Sequence, residues 1–208
     1  MRDLIILGTG VHAQEMAEIV ERVNRAGPPW RLLGYITADE KAVGKELNGL
    51  RVLGTKERIA DYPASFFVPD NSWRGALLAE VPRERYVSLV DPSVFVSRTA
   101  KLGVGCVFYP YCCVGLGARV GDFVFCLAGS VINHDDVIGD RCVFASGATL
   151  AGYVTVEEDC YLGQSCTVRQ SLRVGRNSMV GMGAVVVRDV PPGCVMAGNP
   201  ARKLKDRS

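Results

Sequence analysis

Along residues 90–191, apolar positions recur with a period of six. Reading every sixth residue from Val90 gives Val96, Leu102, Phe108, Val114, Val120, Cys126 and onward to Val186, and all are apolar. Four residues after each of these the side chain is usually small or apolar, as at Ala100, Cys106, Ala118, Ala148 and Ala184. Glycine directly follows the leading residue at 103, 115, 121, 139, 163, 175 and 181, where a tight corner would crowd a side chain. A period of six is neither the 3.6 of a helix nor the two of a long strand, so the pattern predicts short strands joined by regular corners. Three hexads make an 18-residue triangular coil, and coils stack at about the 4.8 Å spacing of neighbouring strands. The expected product is a parallel β-helix in which residues 18 apart lie above one another. Val90, Phe108, Cys126, Phe144, Leu162 and Val180 should then form one internal ladder. A β-sandwich would need turns at irregular spacing, which the repeat does not offer.

The first 85 residues follow other rules. An apolar run at 4–7 predicts a strand covered on both faces. Gly8-Thr9-Gly10 turns the chain into a segment with Ala13, Met16, Ala17, Ile19, Val20 and Val23 at helical spacing, which should stop near Gly27-Pro28-Pro29. Further strands are expected at 32–36, 52–53 and 66–68, and short helices at 55–59 and 73–80. Strands alternating with helices imply a small α/β unit. The chain is therefore read as an α/β domain of half a dinucleotide-binding fold at 1–85, a β-helix at 86–191 and a C-terminal segment at 192–208, packed together without a long linker.

Composition narrows the function. Lys and Arg number 24 against 22 Asp and Glu, and this near balance does not suggest a nucleic-acid binder or a polybasic membrane surface. The apolar run at 4–7 is too short for a signal peptide, and no 18-residue apolar run suits a membrane span, so a cytoplasmic protein is expected. Of eight cysteines, Cys106, Cys112, Cys142, Cys160 and Cys166 fill the small-residue slot of the hexad and Cys126 the leading slot, which packing explains. Cys142 and Cys160 are 18 apart and so stacked, but a reducing compartment argues against a disulfide. Cys113 and Cys194 fall outside the pattern.

Gly8-x-Gly10-x-x-Ala13, after a strand and opening a helix, fits the dinucleotide fingerprint in form. Half a fold and an Asp39 beyond the usual ribose-binding spacing favour nucleotide or nucleotide-sugar binding by a half unit over a dinucleotide enzyme, with a structural turn as the alternative. His12 stands where it could reach a bound phosphate or sugar, or simply cap the first helical turn. His134, the other histidine, lies between Asn133 and Asp135-Asp136, four polar residues in an otherwise apolar stretch. A histidine oriented by a carboxylate is what a general base needs; a solvated corner is the plainer alternative. Asp136 falls in the small-residue slot, where it must either be exposed by a local corner or be satisfied by backbone donors.

Four motifs carry a family resemblance: Gly8-Thr9-Gly10-Val11-His12; Asn133-His134-Asp135 with Ile138-Gly139-Asp140; 181–186 with Arg188-Asp189-Val190-Pro191; and Gly198-Asn199-Pro200-Ala201. With these the chain resembles the sialic acid O-acetyltransferase and UDP-bacillosamine N-acetyltransferase family of left-handed β-helix, hexapeptide-repeat acyltransferases. The resemblance implies a left-handed coil, a homotrimer, and transfer of an acyl group from acetyl-CoA to an amino or hydroxyl group of a nucleotide-linked sugar in surface glycan (lipopolysaccharide) biosynthesis, with no metal. By resemblance His134 is the general base, Asp135 its acidic partner and Gly152 the glycine whose amide faces the thioester carbonyl. His134 and Gly152 are one 18-residue coil apart, so base and oxyanion donor would be vertical neighbours. Gly163, Gly181, Met182 and Lys203 are placed near the coenzyme, and Gly8, Thr9, Gly10, His12, Thr37, Asp39, Asn71, Arg74 and Asn133 near the acceptor.

The chain departs from the family pattern at several points. Val11 replaces a second glycine, narrowing the space beside a phosphate; Thr37-Ala38-Asp39 replaces an aspartate-rich loop; Pro69 replaces a glycine; Asp136 stands where cysteine is common. These departures concentrate in the acceptor part and leave nitrogen or oxygen acylation and the identity of the sugar open. Zinc hydration chemistry on the same scaffold needs three clustered histidines, and this chain has two. A non-catalytic trimer that binds a nucleotide or sugar is the competing reading.

Overall fold

Strand β1 (Arg2–Leu7) contains the predicted apolar run, and Leu4, Ile5, Ile6 and Leu7 are at most 1% exposed. The computed structural model describes residues 1–27, 30–73 and 75–207. These fall into two units, one of Met1–Pro92 with Val104–Val107 and one of Ser93–Gly103 with Phe108–Ser208. In the first, α1 (Val11–Ala26), β2 (Trp30–Thr37), β3 (Glu46–Leu47), β4 (Leu50–Thr55) and β5 (Phe66–Pro69) complete a sheet of order β3-β4-β2-β1-β5. All pairs are parallel except the β3–β4 hairpin. Asn48 and Gly49 turn that hairpin with φ of 48° and 72°, the paired positive angles of a tight hairpin turn, and the sequence reading missed β3. The α1 face built from Ala13, Met16, Ala17, Ile19 and Val20 is buried as its spacing predicts. The Gly27 amide closes α1 on the Val23 carbonyl, while Pro28 and Pro29 lie outside the described residues. Pro69 ends β5 at the edge of the sheet, where no ladder donor is needed. The helices expected at 55–59 and 73–80 are instead 3₁₀ segments, Lys56–Asp61 and Gly75–Glu80. Trp73 stays outside the second, buried, with its indole N–H on the Leu77 carbonyl, which fixes a tighter path than an α-helix allows. Among the described residues, no helix is long and apolar enough to cross a membrane.

The second unit consists of two-residue strands stacked in three parallel sheets, the walls of a left-handed β-helix. One wall pairs Phe95, Cys113, Val131, Thr149, Thr167 and Val185 in steps of 18 residues; the next pairs Lys101, Arg119, Val137, Thr155 and Arg173. On the third, Cys126, Phe144, Leu162 and Val180 pair in sequence, and each is fully buried, as the internal ladder requires. All eight cysteines are free thiols; Cys142 and Cys160 each donate to a carbonyl of the next coil, and Cys194 is buried against the Pro191 carbonyl.

Two features of the corners correct the sequence reading. Every sixth residue from Gly105 to Gly183, three after the leading residue, has φ between 51° and 71°. This is the left-handed position, and it is filled by Tyr111, Phe123, Arg141 and Tyr153 as well as by glycine, asparagine and aspartate. The glycines directly after the leading residue serve a different need. A Cβ on Gly139 would lie 2.5 Å from the Glu158 nitrogen and 2.8 Å from the Glu157 carbonyl carbon, so the coil above, not the corner's own angles, excludes a side chain. The 18-residue register also ends early. Val190, expected in the small-residue slot, bridges Val174, and Met196 pairs with Val180, a step of 16. Pro191 and Pro192 carry no N–H to continue the ladder. The chain closes instead with the antiparallel strands Cys194–Ala197 and Arg202–Asp206.

The two glycine types should respond differently to one added methyl. Gly129→Ala meets nothing within 4 Å and suffers only the left-handed backbone cost of about 1–2 kcal/mol. Gly139→Ala pushes the next coil's backbone and should cost more, about 2–3 kcal/mol or above. Urea unfolding of the two variants checks the order; equal losses would refute the distinction.

Candidate active site

Residues 133–136 and 151–154 form successive corners on one edge of the β-helix, each following a strand of the Phe95 wall (Val131–Ile132 and Thr149–Leu150). His134 Nδ1 lies 3.1 Å from Asp135 Oδ2, with both side chains about half exposed. Asp135 occupies the left-handed position, φ 58°, which turns its carboxylate back toward the imidazole, and its amide is fixed on the Leu116 carbonyl of the coil below. Asn133 Oδ1 accepts the His134 amide at 2.8 Å. The imidazole lies directly over Gly152: a Cβ there would overlap Cε1 and Nε2. The Gly152 amide has no acceptor among the described residues, whereas the equivalent amides of Asp122, His134 and Arg176 are each bonded by a side chain. His134, Asp135, Asn133 and Gly152 are thus brought to one notch, with a proton acceptor and an outward N–H side by side.

Two neighbours escaped the sequence reading. Tyr153, 61% exposed and at the next left-handed position, sets its ring edge-on to the imidazole at 5.1 Å and donates its amide to the His134 carbonyl. Its position, one coil plus one residue beyond His134, was the available signal. Asp136 is fully buried, and backbone donors satisfy it: the Asn133 and Val154 amides donate to Oδ2 and Oδ1, each at 2.7 Å.

A second edge, after the Cys126 wall, gathers Gly163, Gly181 and Met182. A Cβ on Gly163 would meet the Met182 nitrogen at 2.7 Å, so these corners stack closely, and Met182 is 80% exposed beside Gln164 and Ser165. Lys203 pairs with Met196, the residue beside Val180, and its Nζ holds Asp206 at 2.5 Å. The Phe95 wall separates this edge from the His134 edge. Its outward residues Phe95, Cys113, Val131, Thr149, Thr167 and Val185 include no charge.

In the first unit, the predicted acceptor residues collect at the carboxyl ends of β1, β2 and β5, where ligands of open parallel sheets bind. Thr9 and Thr37 share a 3.1 Å hydroxyl contact, and Thr37 Oγ1 also accepts the Asp39 amide. His12 Nδ1 lies 3.1 Å from Glu15, and Val11 projects into solvent. Asn71 follows Asp70 in the turn after β5, and Arg74 lies outside the described residues. Asp70, unassigned from sequence, explains Gly8: its carboxyl occupies the place where a Gly8 Cβ would stand. Burial raises the Asp70 carboxyl above its usual range, against donation from the Ser72 hydroxyl and the Ser72 and Trp73 amides.

The chain is similar to known proteins in both sequence and fold. The hexapeptide repeat of succinyl-transferase matches residues 153–188. The chain is 28% identical over 213 residues to GDP-perosamine N-acetyltransferase of Escherichia coli O157:H7, covering 96% of this chain and 95% of that one. The acetyltransferase domain of PglB from Neisseria gonorrhoeae FA1090 superposes with a TM-score of 0.86 at 26% identity, over 98% of this chain and all of that domain. PerB from Caulobacter crescentus, solved in complex with CoA and GDP-perosamine, gives 0.86 at 25% identity over 98% of this chain and 97% of that one.

Burial pushes the Asp136 carboxyl up to about 7 from 3.8, against the pull of the Val154 and Asn133 amides and the His134 ring. Between about pH 4 and 7 the folded chain therefore holds a proton that the unfolded chain has lost. The stability from this group is complete below the unfolded value and is lost as pH rises through the folded one. Asp136→Asn removes the titration. The unfolding free energy of wild type minus that of the variant should fall from pH 4 to 7 and level off above, as read by urea unfolding at several pH values; a difference independent of pH would contradict it.

Proposed function

We propose that this chain, which belongs to the hexapeptide-repeat left-handed β-helix acetyltransferase family, transfers an acetyl group from acetyl-CoA to an amino group of a nucleotide-linked sugar. The observation that carries the reading is the notch of His134, Asp135 and Gly152. Nδ1 is engaged by Asp135, which leaves Nε2 as the nitrogen that faces a substrate. His134 takes the proton of the acceptor amine as that nitrogen adds to the thioester carbonyl. Asp135 holds the ring tautomer and offsets the imidazolium charge. The Gly152 N–H donates to the carbonyl oxygen as it becomes an oxyanion. The C–S bond then breaks, and the thiolate leaves, protonated in turn by His134; a thiol pKa near about 8.5 makes it a tolerable leaving group. No covalent enzyme intermediate is needed.

The acceptor is assigned to the β1, β2 and β5 edge, with Gly8, Thr9, Gly10, His12, Thr37, Asp39 and Asn71, together with Asn133 and, from sequence, Arg74, and the donor to the Gly163, Gly181, Met182 and Lys203 edge. Within one chain, the His134 edge and the Gly181 edge flank an uncharged wall. A homotrimer, in which that wall is covered and the His134 edge of one copy faces the Gly181 edge of the next, reconciles the two. Use of acetyl-CoA, a cytoplasmic metabolite, places the reaction in the cytoplasm.

Purified protein should release CoA thiol from acetyl-CoA when given a nucleotide amino sugar, and sediment at three times 22.5 kDa. His134→Ala should lower kcat by about 10²–10⁴ while keeping acetyl-CoA binding and the assembly. Nucleotide binding without turnover by wild type would favour the non-catalytic reading, and full activity in His134→Ala would remove the general base assigned here.

A further inference from the structure

We propose that Asp136 is a positioning residue for this transfer: its buried carboxylate braces the corner that carries His134 against the corner that carries Gly152. The inference rests on acetyl transfer at that notch and assigns a residue the chemistry above does not use.

In the column that Asp136 occupies, the residues one coil below and above are Ala118 and Val154, followed by Leu172, all apolar and buried. A carboxylate in that column must be held by something specific. At several other corners the amide at this slot closes its own turn, donating to the carbonyl three residues back: Ala100 to Ser97 and Ala118 to Gly115 in the same column, Ala148 to Ala145 and Cys166 to Gly163 on another edge. The Val154 amide instead donates to Asp136 Oδ1 at 2.7 Å, across the coil boundary. Asp136 Oδ2 takes the Asn133 amide at 2.7 Å, and Asn133 Oδ1 in turn takes the His134 amide at 2.8 Å. One carboxylate therefore links the backbone on the near side of the imidazole to the backbone just beyond Gly152. The Asp136 carbonyl adds a third tie, accepting the Arg119 amide of the coil below at 2.8 Å.

Removing the carboxylate frees the Val154 amide to close onto the Ala151 carbonyl, as the Ala100 and Ala118 amides close onto Ser97 and Gly115 in the same column. The peptide between them belongs to Gly152, so that closure rotates the N–H assigned to the oxyanion and changes its spacing from Nε2. Shifts of this kind are small in distance and large in rate, because base and oxyanion donor must address one carbon.

Three proteins test the assignment: wild type, Asp136→Val and Asp136→Asn. Valine matches the apolar column, and its cost is the stability lost with the acceptor of the Asn133 amide. The expected result is a folded Asp136→Val with kcat per folded molecule lowered by about 10–100-fold and KM for acetyl-CoA within about threefold of wild type. Asparagine keeps one acceptor oxygen and should recover part of kcat. Amide hydrogen exchange, which needs no turnover, should quicken at Asn133 in Asp136→Val and at whichever of Asn133 and Val154 faces the side-chain nitrogen in Asp136→Asn. A merely structural brace would lower Tm and leave kcat per folded molecule unchanged, and that outcome overturns the proposal. If Asp136→Val does not fold, Asp136→Asn decides: faster exchange at either amide with wild-type kcat overturns it equally. Wild-type protein inert toward every acyl-CoA and acceptor would instead remove the transferase reading on which the assignment stands.

Discussion

The backbone ladder between coils is the constraint on which the second unit depends. Val131 donates to Ala148, Thr149 to Cys166 and Thr167 to Ala184, each at 2.9 Å, and every such bond fixes the coil at eighteen residues. A two-residue strand offers too little side-chain burial to stand by itself. Its stability comes from the neighbour above and below and from the fully buried column of Phe108, Cys126, Phe144, Leu162 and Val180. That dependence confines insertions to the corners, where a loop leaves the ladder intact. It also explains why the helix ends where two prolines remove the donors and a short antiparallel pair must take over.

The candidate site uses the same constraint rather than interrupting it. A residue in the outward corner position sits over its counterpart eighteen residues later, so a histidine there has whatever occupies the next coil as its floor. Glycine at 152 makes that floor bare backbone, and a side chain would displace the ring. The amide at this position points away from the coil, as the side-chain bonds to Asp122, His134 and Arg176 show. The left-handed residue that follows then sets Asp135 against Nδ1 and Tyr153 edge-on to the ring. A corner that is costly for most residues thus becomes a means of aiming two of them.

The repeat was legible in sequence because its signal is simple volume and polarity at a fixed period. The ladder, the wall assignments and the stacking of His134 on Gly152 all follow from counting by eighteen. The location of the strained corner was not legible, since tyrosine, phenylalanine and arginine occupy it alongside glycine, and composition there carries no single mark. The glycines that do stand out, at 103, 121 or 139, answer to the coil above, a contact that no local window contains. Asp136 was visible as an anomaly. That its two oxygens join separate coils could be learned only from the positions of the amides around it. In the first unit the strands and α1 were legible from apolar runs and helical spacing, whereas 73–80 lost its helix to the Trp73 indole, a side-chain bond outside any propensity.

Gly8 shows how one spacing can satisfy two physical demands. In a dinucleotide fold a glycine after the first strand admits a phosphate to the backbone. Here the Asp70 carboxyl fills the space beside Gly8, and Asp70 is itself held by its amide on the Leu7 carbonyl and by Ser72. Glycine would be required at this position with no ligand at all. A carboxylate under the turn also disfavours an anion at Gly8, so the electropositive end of this edge lies further on, where the α1 amides begin after Gly10. The fingerprint and the fold agree about where the chain turns. They differ about why it must be glycine, and that difference is decided by a residue sixty positions away in the sequence.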